Sequence, residues 1–257
     1  MRDKTSSPDN NAAGFLAATL DPLRYDGHVY DPYEVAGIVT DLVPENARVL
    51  DVGCGAGSLT KIILERRTKT VMGVEPDARR AEQARQRGLN VVTRLVEPSF
   101  FVEHGKFDVV IFADVLEHLP NPQDLLVTVE QGLKPGGSVI VSVPNVAHWS
   151  VRMELLRGRF NYESCGIMDA THLRWFTKTS LLQCLAAAGF SVVKYQVTTG
   201  VGLGVYYKRL PWRRMRPALR RSLLHSLAGR LPNLFGCQHV ACARRTSELA
   251  LTPRSAI

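Results

Sequence analysis

Residues 48–59 read Arg-Val-Leu-Asp51-Val-Gly53-Cys54-Gly55-Ala-Gly57-Ser-Leu, and this stretch sets the architecture. A short apolar run leads into alternate glycines and then into the helix-length segment Ser58–Arg67. Strand, glycine turn and helix in immediate succession form the first unit of a nucleotide-binding α/β fold. The glycines permit a tight turn, and their missing side chains let a ligand lie against the backbone. Dinucleotide enzymes favour G-x-G-x-x-G/A, whereas Ser58 stands at the last position of that pattern here.

Working outward, Arg48–Val52, Thr70–Val74, Asn90–Thr93, Phe107–Phe112 and Ser138–Val143 are expected as strands. Their apolar residues are continuous rather than alternating, as in a parallel sheet covered on both faces. Helical stretches such as Arg79–Arg87 and Pro122–Leu133 separate them, which predicts a doubly wound α/β sheet. A helix follows at Lys178–Ala188, capped by Thr177 or Thr179 and ended by Gly189, with further strands near Val192–Val197 and His239–Ala243.

Two acidic positions join the glycine loop. Glu75 ends the second strand, where a carboxylate can accept from both ribose hydroxyls of a bound nucleoside. Asp114 follows the strand Phe107–Phe112 and opens Asp114-Val115-Leu116-Glu117-His118, and Leu133-Lys-Pro-Gly-Gly leads into the next strand. These ordered elements resemble the motifs of class I S-adenosylmethionine-dependent methyltransferases. The resemblance implies a Rossmann-like, mostly parallel seven-stranded sheet with an antiparallel last strand. It also implies S-adenosylmethionine as cofactor, held by Asp51, Gly53, Cys54, Gly55, Gly57, Glu75, Pro76, Asp114, Val115 and Leu116. In that family the glycine loop holds the amino-acid end of the cofactor and cradles no pyrophosphate.

Ser142-Val-Pro-Asn145-Val-Ala-His148, then Gly158-Arg-Phe-Asn-Tyr162 and Asp169-Ala-Thr-His172-Leu-Arg174-Trp-Phe176, extend the likeness over roughly residues 25–245. Here the chain is similar to a bacterial group associated with surface-polysaccharide and glycan assembly. That likeness implies O-methylation of a sugar, glycan or other small hydroxylated acceptor. A quinone or natural-product O-methyltransferase shares every core motif, and an RNA or protein methyltransferase would use the basic C-terminal third. Against RNA, there is no D/N-P-P-[YFW] signature and no known RNA-binding module.

Methyl transfer mainly needs alignment, but a hydroxyl acceptor must also lose a proton. Histidine, with an ordinary pKa near ~6.5, suits that task. His118 and His172 are the candidates, since both are expected on the carboxyl edge of the sheet, with His148 a weaker third. Each has a structural alternative, capping a helix or fixing a turn. No His/Asp/Glu set shows metal-ligand spacing along the sequence, so no metal is expected. Phe160, Tyr162, Trp175 and Phe176 suit either an aromatic wall for the acceptor or the packing of a lid. Arg152, Arg157, Arg159 and Arg174 are placed to meet an anionic acceptor.

Charge divides the chain unevenly. Residues 1–169 hold 18 Lys/Arg against 23 Asp/Glu, whereas 170–247 hold 13 Lys/Arg and no acid. Such asymmetry points to an anionic partner. Lys208–Leu231 places Trp212, Met215, Leu219, Leu223 and Leu227 at helical spacing with arginines on other faces, and Pro217 marks a second helix start. This basic amphipathic insertion, residues 200–235, is expected to meet an anionic membrane surface, or to pack on the sheet or a second subunit. Residues 1–24 read as a disordered leader, 25–245 as the methyltransferase domain and 246–257 as a flexible tail. Scattered cysteines and the lack of a long apolar run suit a cytoplasmic protein, peripheral at most to the membrane's inner face.

Overall fold

The computed structural model describes Asp21, 25–208 and 210–249. Most of the expected leader, residues 1–24, lies outside the described residues. At the centre lies β1 (Val49–Val52), every residue of which is buried. It pairs in parallel with β2 (Val71–Val74) on one side and β4 (Phe107–Ala113) on the other. β3 (Val91–Val92) lies beyond β2, and β5 (Leu133–Pro144) lies beyond β4. β7 (Gln238–Arg245) runs antiparallel between β5 and β6 (Phe190–Val197). The order β3-β2-β1-β4-β5-β7-β6 makes the expected seven-stranded sheet.

Period-two side-chain alternation splits the apolar strands between two layers. Leu50, Val52, Val110 and Phe112 face one side, where α4 (Pro98–His104), α5 (Pro122–Gln131) and α7 (Lys178–Ala187) bury Phe100, Leu126 and Leu181. Val49, Val109 and Ile111 face the other, against α1 (Val35–Leu42) and α2 (Ser58–Arg66). α3 (Ala78–Gln86) follows β2, and Asp77 caps it by accepting from the Arg80 N–H. α6 (Trp149–Leu156) follows β5, and Thr177, not Thr179, caps α7 in a reciprocal box with Ser180.

Strand order reverses beside β1: the chain moves outward to β2 and β3, then returns to place β4 on β1's other edge. Ligands bind at the carboxyl ends of strands at such a switch point. Asp51 pairs with Ile111 in the β1–β4 register, so Asp51 and Asp114 end up at neighbouring strand ends.

The tail expected to be flexible from 246 begins with a helical turn, α11 (Thr246–Leu249), where Glu248 accepts from Gly136 N–H and Arg245. The insertion expected at residues 200–235 is largely helical. It forms α8 (Gly204–Lys208), a 3-10 turn at Trp212–Arg214, α9 (Pro217–Arg230) and α10 (Pro232–Phe235). α9 buries Arg220, Leu224 and Ala228 at spacing four, leaving Leu219 and Leu223 outward. Arg220 is held because it donates to the Tyr206 carbonyl and stacks on Tyr207, and Arg221 pairs with Asp31.

Candidate active site

A cavity of about 1000 Å³ opens at the switch point. Its floor is the glycine loop. Gly53 and Cys54 both donate their N–H to the Val74 carbonyl, at 2.7 and 3.1 Å, which ties the turn to β2. Gly53, Gly55 and Gly57 all have positive φ. A Cβ on Gly53 would meet Val115 at 2.7 Å, and one on Gly57 would meet Leu89 at 2.2 Å. A Cβ on Gly55 would meet no atom of the described residues within 4 Å, so of these three glycines it is the one that opens directly onto ligand space.

Glu75 is buried beside this loop. Its Oε2 accepts from Gly55 N–H and its Oε1 from Asp77 N–H, each at 2.9 Å. Each carboxylate oxygen retains a second lone pair, enough to receive two ribose hydroxyls. Asp51 lies deeper, its Oδ2 accepting the Thr60 hydroxyl at 2.6 Å, and burial pushes its carboxyl up to about 7. It shapes the loop as much as it lines the cavity.

The second turn carries Asp114 in a left-handed conformation, φ 55°. The Ser142 hydroxyl donates to its Oδ1 at 2.8 Å and the Gln238 amide to its Oδ2 at 2.7 Å. Asp114 is thereby clamped between β4, β5 and β7, and burial raises its pKa.

Beyond it, residues 163–174 fold back over the turn. The Glu117 carbonyl accepts from the N–H groups of Leu173 and Arg174, at 2.8 and 2.9 Å. Asp169 accepts from the Thr171 N–H and hydroxyl, and the Tyr25 hydroxyl donates to Asp169. This brings His118 and His172 together, ring centroids 4.9 Å apart. His118 Nδ1 lies 3.1 Å from the Thr171 carbonyl, and His172 Nδ1 lies 3.2 Å from that of Ile167. A carbonyl only accepts, so Nδ1 carries the hydrogen in each ring and Nε2 carries the lone pair of the neutral form. Glu117 stands beside both, and burial, reinforced by the Asp114 charge, holds its carboxyl well above the usual range.

Asp51, Gly53, Cys54, Gly55, Glu75, Pro76, Asp114, Val115, His118 and His172 all line the cavity. Gly57 and Leu116 do not: Gly57 packs on Leu89 and Ala84, and Leu116 is fully buried in the core. Cys54 turns its sulfur toward Gly73, where an added Cβ would lie 2.6 Å away, and burial raises its thiol pKa. Phe160, Tyr162 and Trp175 form a cluster of rings 5.5–6.3 Å apart, off the cavity wall, while Phe176 is core. The four expected arginines are off it too. Arg152 and Arg174 bond backbone carbonyls and Arg159 bonds Glu154, whereas Arg80 and Arg94 line the cavity instead. His148 is buried against Tyr206, and burial lowers it to about 4, so it is structural.

Sequence reading missed Glu117, Ser142's grip on Asp114, and Gln238. Glu117 was visible beside His118 in the Leu-Glu-His turn. Gln238 carries no local signal, because only the antiparallel placement of β7 brings it to Asp114.

A glycine open to the cavity and a carboxylate with two spare lone pairs fit the methionine and ribose parts of S-adenosylmethionine. Fold and site together define a class, the S-adenosylmethionine-dependent methyltransferases of Rossmann-like fold. The chain belongs to the methyltransferase-domain family, whose sequence model matches residues 25–195. It is 37% identical over 103 residues to a ubiquinone biosynthesis O-methyltransferase of Cronobacter sakazakii, covering 38% of this chain and 42% of the relative. A namesake from Xanthomonas axonopodis is 31% identical over 123 residues, covering 46% and 52%. The chain thus spans about half, or less, of the length of these curated relatives. In fold it is similar to a methyltransferase of Thermotoga maritima, with TM-score 0.52, 19% identity, and 81% and 86% of the two chains covered.

Proposed function

We propose that this enzyme methylates a hydroxyl group on a small acceptor, with a ring hydroxyl of a quinone precursor favoured over a sugar hydroxyl. The observation that carries this reading is the paired His118 and His172, whose Nδ1 atoms are fixed by backbone carbonyls in the cofactor cavity. The names of the curated relatives support the ring hydroxyl. A glycan acceptor, the narrower expectation from the sequence, rests on the Ser142–His148 and Asp169–Arg174 segments alone.

S-adenosylmethionine, when bound, supplies a methyl group on a sulfonium that passes in line to the acceptor oxygen. Gly55 and Glu75 hold and orient its methionine and ribose parts. The Asp114 turn, clamped by Ser142 and Gln238, fixes the wall between the loop and the histidines. Nε2 of His118 or His172 receives the acceptor's hydroxyl proton. Tyr25, hydrogen-bonded to Asp169 and to Gly166 N–H, lines the same cavity and ties its rim to the segment that carries His172.

The test is a labelled methyl-transfer assay on hydroxylated quinone precursors, nucleotide sugars, glycolipids and RNA. Turnover of a ring hydroxyl is expected, with one of His118→Ala or His172→Ala losing on the order of 10²–10⁴ in rate while retaining cofactor affinity. Wild-type rates in both variants would remove the histidines from the chemistry.

We also propose that the reaction takes place at an anionic membrane surface. Among the described residues no helix is long and apolar enough to cross a membrane. The support is that Leu219 and Leu223 are exposed, as are Arg213, Arg214, Arg216 and Arg230 of the same insertion.

A further inference from the structure

Glu117 is the least explained group in the cavity wall. It is 1% exposed, yet neither carboxylate oxygen has a hydrogen-bond partner among the described residues. A buried carboxylate in that condition is costly unless a cation or donor meets it. Asp51, Glu75 and Asp114, its acidic neighbours in the cavity, are each met by hydroxyl, amide or backbone donors.

Glu117, His118 and His172 each offer one ligand atom, and these atoms lie within 4.8 Å of one another. Glu117 and His118 are adjacent, but His172 comes from 55 residues further on, so no spacing rule along the sequence reveals the set. We infer that Glu117, His118 and His172 form a binding site for a divalent first-row cation of the zinc and cobalt type.

The donor chemistry fits that choice. Imidazole nitrogens suit zinc, cobalt, nickel and iron, while magnesium and calcium take oxygen donors. Two histidines and one carboxylate are the ligand set of metal sites that keep a coordination position open for water or substrate. The supporting contacts fit as well. Each ring donates Nδ1–H to a backbone carbonyl, which leaves Nε2 as the nitrogen with a lone pair for a metal. All three residues line the cavity, so an open position would face the acceptor. A cation there would favour ionisation of a bound hydroxyl in place of a histidine base, since both Nε2 lone pairs would then be its ligands, a role that rests on the O-methylation reading above.

The site is tested on the full chain, stripped with chelator and titrated with Co²⁺ and Zn²⁺ in the absence of acceptor. Calorimetry and the visible Co²⁺ spectrum are expected to show one saturable equivalent per chain. His172→Ala and Glu117→Gln should each weaken Co²⁺ binding by about tenfold or more, and the exposed control His225→Ala should leave it unchanged. Retained S-adenosylmethionine affinity in the two variants shows that they are folded. The conservative Glu117→Gln keeps the test decisive should His172→Ala misfold. No saturable Co²⁺ or Zn²⁺ binding to the wild type, or binding undiminished in the folded variants, overturns the site. That outcome leaves methyl transfer by a histidine base standing. Loss of S-adenosylmethionine binding by the wild type would instead strike the functional reading.

Discussion

Gly55 and Gly57 share a left-handed backbone but answer to different neighbours. Gly57 has Leu89 where its Cβ would be, so Gly57→Ala adds about 1–3 kcal/mol of overpacking to the cost of an unfavourable φ. Gly55 has only ligand space. Gly55→Val is therefore expected to lower S-adenosylmethionine affinity far more than stability, and Gly57→Ala the reverse. Glu75→Ala removes a charged acceptor facing two hydroxyls and should cost about 1.5–3 kcal/mol of cofactor binding. Calorimetric affinity and thermal midpoints for the three variants separate the roles; unchanged affinity in Gly55→Val and Glu75→Ala would sink the assignment. The cofactor half of the site was legible because its residues fall in short stretches that directly follow β1, β2 and β4. The acceptor half was legible only as single residues. His118 and His172 could be named, but their meeting depends on the Glu117 carbonyl capturing the Leu173 and Arg174 amides.

At the scale of elements, the apolar strands β1, β2, β4 and β5 stood out because both faces of each are covered. α1 did not: Val35-Ala-Gly-Ile-Val-Thr is rich in β-branched residues, and burial overrides their low helix propensity. Gly37 within it is required by close approach, since a Cβ there would lie 2.0 Å from the Asp31 carbonyl oxygen. α9 shows the converse. Spacing set the arginines on faces away from the apolar stripe, whereas Arg220 is taken inward by the Tyr206 carbonyl and Leu219 and Leu223 are left outside. The expected membrane face consequently consists of those leucines with Arg213, Arg214, Arg216 and Arg230. Flotation with anionic vesicles at low salt is expected, weakening as salt rises and as these four arginines become serine, at about 1 kcal/mol per charge. Equal flotation after the fourfold change, or none at the start, would reject the membrane surface. Arg220 and Arg221 are unsuitable for this test, because their loss also removes internal contacts.

For the molecule as a whole, buried titratable groups make stability depend on pH in two opposed ways. His239 is fully buried in β7, and burial lowers it from 6.5 to about 4. The unfolded chain takes up its proton first as pH falls. Stability from the neutral ring is thus fully present above 6.5 and lost as pH falls through about 4. Asp51 behaves oppositely, because burial raises it from 3.8 to about 7. Its contribution is fully present below 3.8 and lost as pH rises through about 7, since the fold must then hold a buried charge. One unit of difference between folded and unfolded values corresponds to about 1.4 kcal/mol, so neither group dominates by size alone. A wild-type pH profile therefore mixes the two, and differences from single variants separate them. His239→Gln keeps a polar side chain without a titrating ring, so its deficit against the wild type should shrink as pH falls from 6.5 to 4. Asp51→Asn should gain on the wild type as pH rises from 4 to 8. Denaturant midpoints across that range, measured without cofactor, give both slopes. A flat difference for either variant would show that its group titrates alike in the folded and unfolded chain, and would remove burial as the cause of its shift.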